Sequence, residues 1–281
     1  MEVLHTRESI QQKMLRFREQ NMTIGFVPTM GALHEGHLSL VACSRKRDDI
    51  TVVSIFVNPT QFNQRDDFER YPRDLEGDLN DLEQAGVDVV FTPTEREMYP
   101  EPDNRTFDFG GLDQVMEGKH RPGHFDGVAR IVTKLFDLVM PHRAYFGEKD
   151  FQQLTIIRHL NRQMDYKIDV VGCPIVRESD GLAKSSRNAR LSPGQRKEAS
   201  GISQALFEAV HDAGRLSPDE IREQVISRLN KKPHIDVEYF EIVDEKTLKP
   251  IHRKDEANEK RACVAAWVGS VRLIDNVKIS F

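Results

Sequence analysis

The stretch Pro28-Thr29-Met30-Gly31-Ala32-Leu33-His34-Glu35-Gly36-His37 constrains the rest of the chain more than any other. The apolar run Ile24-Gly25-Phe26-Val27 before it reads as a buried strand, and Leu38 to Ala42 behind it as the opening turns of a helix. The result is a strand, a tight glycine-bearing turn, and a helix whose first turn carries His34 and His37. The unpaired N–H groups and partial positive charge of a helix N-terminus suit a phosphate. Two imidazoles three residues apart share a helix face and can stabilise charge developing on one anion. Three readings of the pair stand: polar residues at a helix start with one capping its own backbone, metal ligands, or groups facing a nucleotide. Spacing speaks against metal, because the zinc motif is H-E-x-x-H and this is H-E-G-H without a third ligand cluster. Neither G-x-G-x-x-G nor G-x-x-x-x-G-K-[ST] occurs in the chain, so the nucleotide reading rests on the strand–turn–helix frame.

A chain of 281 residues accommodates two domains or one large one. Its net charge of −5 argues against a broad nucleic-acid surface, although one local basic pocket is compatible with it. The segment Met1 to Glu8 has no apolar core of a signal peptide, and no run of about 18 apolar residues could span a membrane. Cys43, Cys173 and Cys263 are far apart and odd in number, which fits neither a disulfide framework nor a metal spacing. The expectation is a cytoplasmic chain with no membrane and no nucleic-acid partner.

Along the chain, helices are expected over 9–20, 75–85, 127–140 and 152–164, with strands over 50–57, 87–91, 144–146 and 168–171. Such alternation implies an α/β fold, a parallel sheet with helices on both faces. The polar stretch Glu178-Ser179-Asp180-Gly181 marks a domain boundary, giving a first domain over 1–178 and a second over 179–281. Beyond it, Ser192-Pro193 and Ser217-Pro218-Asp219-Glu220 open two helices. Strands are expected over 237–243, 262–268 and 271–274, so the second domain reads as a smaller α+β unit.

Four further segments carry chemistry. Asn58-Pro59-Thr60-Gln61-Phe62 puts amides at the C-terminal end of a strand, where open α/β sheets bind ligands. Gly118 to Gly127, containing Arg121 and His124, is basic, non-periodic and reads as an anion-facing loop. Phe146-Gly147-Glu148-Lys149-Asp150 follows a strand and opens a helix, so Lys149 can meet phosphates as a point charge. Lys184-Ser185-Ser186-Arg187-Asn188 is a loop of donors suited to a polyphosphate. As bare patterns, these are also ordinary surface loops and helix starts.

Taken together, the motifs resemble the pantothenate synthetase (pantoate–β-alanine ligase) family, within the nucleotidyltransferase superfamily that shares a His-x-Gly-His signature with class I aminoacyl-tRNA synthetases. The matches run in family order from Pro28 to Leu191. The resemblance implies a Rossmann-like doubly wound sheet. It also implies a homodimer and an AMP-forming ligation of pantoate with β-alanine through a pantoyl adenylate, with ATP as substrate and Mg2+ as cofactor. His34, His37, Lys149 and Arg187 would then be catalytic. ATP would be held by Met30, Gly31, Ala32, Leu33, His34, Glu35, Gly36 and His37, by Gly147, Glu148, Lys149 and Asp150, by the backbone of Val176, and by Lys184, Ser185, Ser186 and Arg187. Gln61, Gln153 and Asn58 would hold pantoate, Gln61 would also line the β-alanine site, and Asp78 would be a metal ligand. The family often has methionine where this chain has Lys184.

Overall fold

The computed structural model describes residues 1–63 and 65–281. In chain order the first sheet is formed by β1 (Glu2–Leu4), β2 (Ile24–Thr29), β3 (Ile50–Ile55), β4 (Val89–Phe91), β5 (Arg143–Gly147) and β6 (Asp169–Cys173). The helices among them are α1 (Arg7–Glu19), α2 (Glu35–Arg45), α3 (Arg65–Glu69), α4 (Leu75–Gln84), α5 (Glu95–Met98), α6 (Met116–His120), α7 (His124–Val139) and α8 (Phe151–Gln163). The sheet order is β1-β4-β3-β2-β5-β6, parallel at every pairing. This is the doubly wound α/β architecture expected from the sequence.

The near-continuous apolar run of β2 follows from burial on both faces. Phe26 packs into one layer with Ile10 and Met14 of α1 and Val132 and Phe136 of α7. Val27, pointing the other way, packs with Leu40 and Val41 of α2 and Leu82 of α4. Each such side chain contributes about 1.5–3 kcal/mol on burial. After β2 the chain builds the β3 side of the sheet first, and only later returns to lay β5 against the opposite edge of β2. The reversal opens a crevice beyond the C-terminal ends of β2 and β5, where ligands bind in such sheets.

The C-terminal part contains α9 (Pro193–Asp212), α10 (Pro218–Leu229) and a separate antiparallel sheet of β7 (Ile235–Asp244), β8 (Lys260–Val268) and β9 (Val271–Ile279). Both helices start where the sequence indicates, with capping boxes at Ser192 and Ser217 and proline at the first helical position. A second apolar core joins them to the sheet through Ile202, Leu206, Ile221, Phe240 and Val264.

Several elements differ from the sequence expectation, each for an identifiable reason. β1 is only three residues long, too short for periodicity to reveal. Residues 118–127 are not a continuous loop: α6 ends at His120, and α7 begins at His124 after Gly123, whose φ is 78°. Gly127, which looks like a poor helix residue, lies where an added Cβ would come within 2.2 Å of the Thr60 carbonyl oxygen. β9 continues to Ile279 through the polar pair Asp275-Asn276, at which a pattern-based strand ends.

Candidate active site

Both histidines follow β2 into the crevice. His34 is the N-cap of α2 rather than a member of its first turn, with extended φ and ψ. Its Nδ1 accepts the Gly36 N–H at 3.1 Å, which in the neutral ring leaves the proton on Nε2 as a donor. His37 lies one turn on, with ring centroids 4.2 Å apart, and its Nδ1 is sealed from solvent with no partner among the described residues. Burial, then the neighbouring His34 and the Lys149 ammonium, hold His37 down at about 3. Burial, Lys149 and Lys184 also lower His34. Both rings are therefore neutral at physiological pH, acting as polar groups rather than as cations.

The turn between β2 and α2 is strained, since Gly31 has φ 79° and Ala32 has φ 50°. Two consecutive left-handed residues aim the following amides inward. Asp78, on α4 and 4% exposed, fills that nest: its oxygens accept from Ala32 N at 2.9 Å and Leu33 N at 2.7 Å. Both oxygens are committed to backbone, and a Cβ on Gly31 would lie 2.8 Å from one of them. No group of three or more His, Cys, Asp or Glu residues suited to a metal occurs among the described residues, and Asp78 is not among the residues lining the cleft.

The cleft has a volume of about 260 Å³. Of the residues expected to meet ATP, it is lined by Met30, His34, Gly36, His37, Gly147, Lys149, Asp150, Val176, Lys184, Ser185, Ser186 and Arg187. Gln61 and Gln153, expected to meet pantoate, also line it. Gly31, Ala32, Leu33, Glu35, Glu148 and Asn58 are not among the lining residues. Asn58 is 1% exposed and donates to the Gly127 carbonyl at 3.0 Å while accepting from Tyr99 Oη at 2.7 Å. It thereby braces the 3-10 turn Pro59–Gln61 against α7, which carries Gln61 to the cleft wall. His124 Nδ1 donates to the Gln61 carbonyl at 2.8 Å; burial and Arg121 hold this ring at about 4, again neutral.

The cations of the Lys184–Arg187 loop already have partners. Lys184 bonds to Glu35 and lies 3.6 Å from Glu178. Arg187 pairs with Asp67 at 3.0 Å. Lys149 has only Asp150 among the described residues, at 3.9 Å. Ser185 caps the 3-10 turn Ser186–Arg190 by accepting from Arg187 N. Val176 brings its carbonyl to Lys184 N at 2.9 Å, closing the hairpin that leads into the loop.

Tyr71, Arg121 and His124 line the cleft as well. The sequence places Arg121 and His124 in a candidate segment without assigning roles and does not single out Tyr71, because a tyrosine in a turn and an arginine in a basic loop look alike on any surface. The apolar floor of Val128, Ile131, Val132 and Leu135 comes from one face of α7. Its spacing is legible only as an ordinary buried helix face.

A family model described as pantoate-beta-alanine ligase matches residues 2–278. The chain is 51% identical over 278 residues to a pantothenate synthetase of Bacteroides thetaiotaomicron, covering 99% of each chain. It is similar in structure to the pantothenate synthetase of Thermus thermophilus, with a TM-score of 0.94 at 43% identity over all of both chains. It is also similar to a pantoate-beta-alanine ligase of Francisella tularensis in complex with beta-gamma ATP and beta-alanine, with a TM-score of 0.84 at 33% identity, covering 99% and 97% of the two chains.

Proposed function

The chain belongs to the pantoate–beta-alanine ligase family, and from that membership we propose that it condenses pantoate with β-alanine, using ATP, through a pantoyl adenylate. The observation that carries the mechanism is the convergence of His34, His37, Lys149 and the Lys184–Arg187 donors with Gln61 and Gln153 in one cleft at the sheet's switch point. In the first step a pantoate carboxylate oxygen bonds to the α-phosphorus as the bond to pyrophosphate breaks. In the second, the β-alanine nitrogen bonds to the acyl carbon, AMP leaves and the amine loses a proton.

The first step spreads negative charge over phosphate oxygens, so catalysis lies in positioning and electrostatics. Neutral His34 supplies an Nε2–H donor, and His37 shares its face. Lys149 supplies the cation with the weakest existing partner. Arg187 and Lys184 exchange Asp67 and Glu35 for phosphate, which couples ATP arrival to closure of the Ser185–Ser186 loop. Gln61 and Gln153 align pantoate for in-line attack, a proximity effect, and Gln61 lies where β-alanine must also approach. Asp78 acts on the reaction by holding the Gly31–Leu33 turn, and Asn58 by holding the Gln61 turn. Magnesium belongs to the substrate as MgATP, bound chiefly through phosphates and water.

We extend the reading to a two-domain division at 178/179 and to a cytoplasmic homodimer, which sedimentation can measure. Among the described residues no helix is long and apolar enough to cross a membrane. The test of the reaction is exchange of labelled pyrophosphate into ATP. It should require pantoate and proceed without β-alanine; absolute dependence on β-alanine would refute the two-step order.

A further inference from the structure

The C-terminal sheet reaches into the site through two residues of β9. Asp275 and Asn276 are 3% and 2% exposed, although they sit in the interior of an antiparallel strand, opposite Val264 and Cys263 of β8. Neighbours on a strand point to opposite faces, so a buried polar pair needs a partner on each side.

Asn276 gives both amide hydrogens to consecutive backbone carbonyls, those of Glu148 and Lys149, each at 2.9 Å. Its Oδ1 accepts from Arg261 at 2.7 Å. Arg261 is itself pinned by Glu245 at 3.0 Å and lies 4.1 Å from the centre of the Phe151 ring. The amide cannot turn over without facing its oxygen at two carbonyls. Two successive peptide planes of the 3-10 turn Glu148–Asp150 are thus held from the other sheet, and with them the Cα of Lys149.

Asp275 works on the other phosphate-facing segment. It forms a two-pronged pair with Arg177, at 2.7 and 2.9 Å. Arg177 also donates to the carbonyls of Gly181 and Asn276, at 3.0 and 3.2 Å. This closes the hairpin whose return strand carries Ala183 and Lys184 into the donor loop.

We infer that Asp275 and Asn276 are positioning residues of the adenylation step, setting the Lys149 turn and the base of the Lys184–Arg187 loop at a fixed separation. The inference rests on the adenylate mechanism proposed above. Both residues line a side pocket that shares Arg121, Lys149 and Gln153 with the main cleft, but their side chains bond to the Lys149 turn and to Arg177 rather than to Gln61 or Gln153, so aminolysis of a finished adenylate should need them far less than adenylation does.

The experiment compares two half-reactions in Asn276→Ala, Asn276→Ser and Asp275→Asn. One is single-turnover adenylate formation from ATP and pantoate; the other is pantothenate release from supplied pantoyl adenylate and β-alanine. Because both are read on the same folded molecules, partial loss of folded protein cancels in their ratio. Asn276→Ser retains one donor and should be the milder of its pair. Adenylation should fall about tenfold to a hundredfold in Asn276→Ala, the effect of roughly an ångström of misplacement, while aminolysis stays within about threefold. Equal losses in the two half-reactions, or no loss in either, overturn the inference. A parent enzyme that makes no pantoate-dependent adenylate overturns the functional reading instead, and that outcome is visible before any variant is compared.

Discussion

Lowering the pH should destabilise the ligand-free enzyme through histidines that the fold keeps neutral. A histidine ordinarily titrates at 6.5, but burial holds His37 at about 3 and His124 at about 4. Between those values and 6.5 the unfolded chain binds more protons than the folded one, so stability is full above 6.5 and is lost as pH falls. Each ring then contributes a loss of about 1.4 kcal/mol per pH unit below about 6.5, roughly 2 kcal/mol by about pH 5. His34 is lowered in the same sense and adds to the effect. The rings of His37 and His124 line the cleft rather than the closed core, which moderates the penalty, so the expected loss between about pH 7 and pH 5 is about 2–4 kcal/mol. Urea midpoints measured at constant ionic strength give the pH slope, and His37→Gln and His124→Gln should each remove roughly a third of it. A parent with no loss between these pH values, or variants that keep the full slope, would refute the neutral assignment. Bound ATP opposes the shift at His34 and His37, so binding at mildly acidic pH should take up protons, visible as a dependence of the binding heat on buffer.

His37→Ala should slow adenylation by about 10²–10³, whereas Gln61→Ala and Gln153→Ala should chiefly raise the KM for pantoate; near-normal adenylation by folded His37→Ala contradicts its role. Lys184→Met should leave adenylation within about tenfold of the parent and lose its residual effect at higher salt, because Glu35 and Glu178 already compensate that cation. Arg187→Met should be much worse, since no other side chain in the loop has a planar fork of donors; equal damage in single-turnover assays at two ionic strengths would refute the distinction. Asp78→Ala should destabilise the fold by about 2–4 kcal/mol through the stranded Ala32 and Leu33 amides, seen in thermal or urea unfolding. Asp78→Asn should keep the parent's magnesium dependence, and a large rise in the magnesium requirement would instead assign Asp78 a metal role.

Much of this enzyme is local in origin and is therefore readable from the chain. Strands such as Ile24–Thr29 are apolar on both faces because both faces are covered, and the helices at Ser192 and Ser217 announce their own caps. The residues proposed to face phosphate cluster in short motifs because strand ends and helix starts supply them. Other assignments depend on what lies opposite in space. Asp78 looks like any acidic residue on a helix until the left-handed turn at Gly31 and Ala32 delivers two amides to it. Gly127 reads as a helix start, whereas α7 begins at His124 and the Thr60 carbonyl occupies the space of the missing side chain. Asp275-Asn276 looks like the end of a strand, because a buried polar pair is intelligible only with Arg177, Arg261 and the Glu148–Lys149 carbonyls around it. Local pattern thus accounts for the strand–turn–helix frame, the family and the residues that can face phosphate. Which of those residues face the cleft, which are already paired, and which distant side chains hold them follow only from the folded arrangement. The reason is physical: a hydrogen bond such as that from Asn276 to the Glu148 carbonyl joins parts of the chain far apart in sequence, and it leaves no periodic trace at either end.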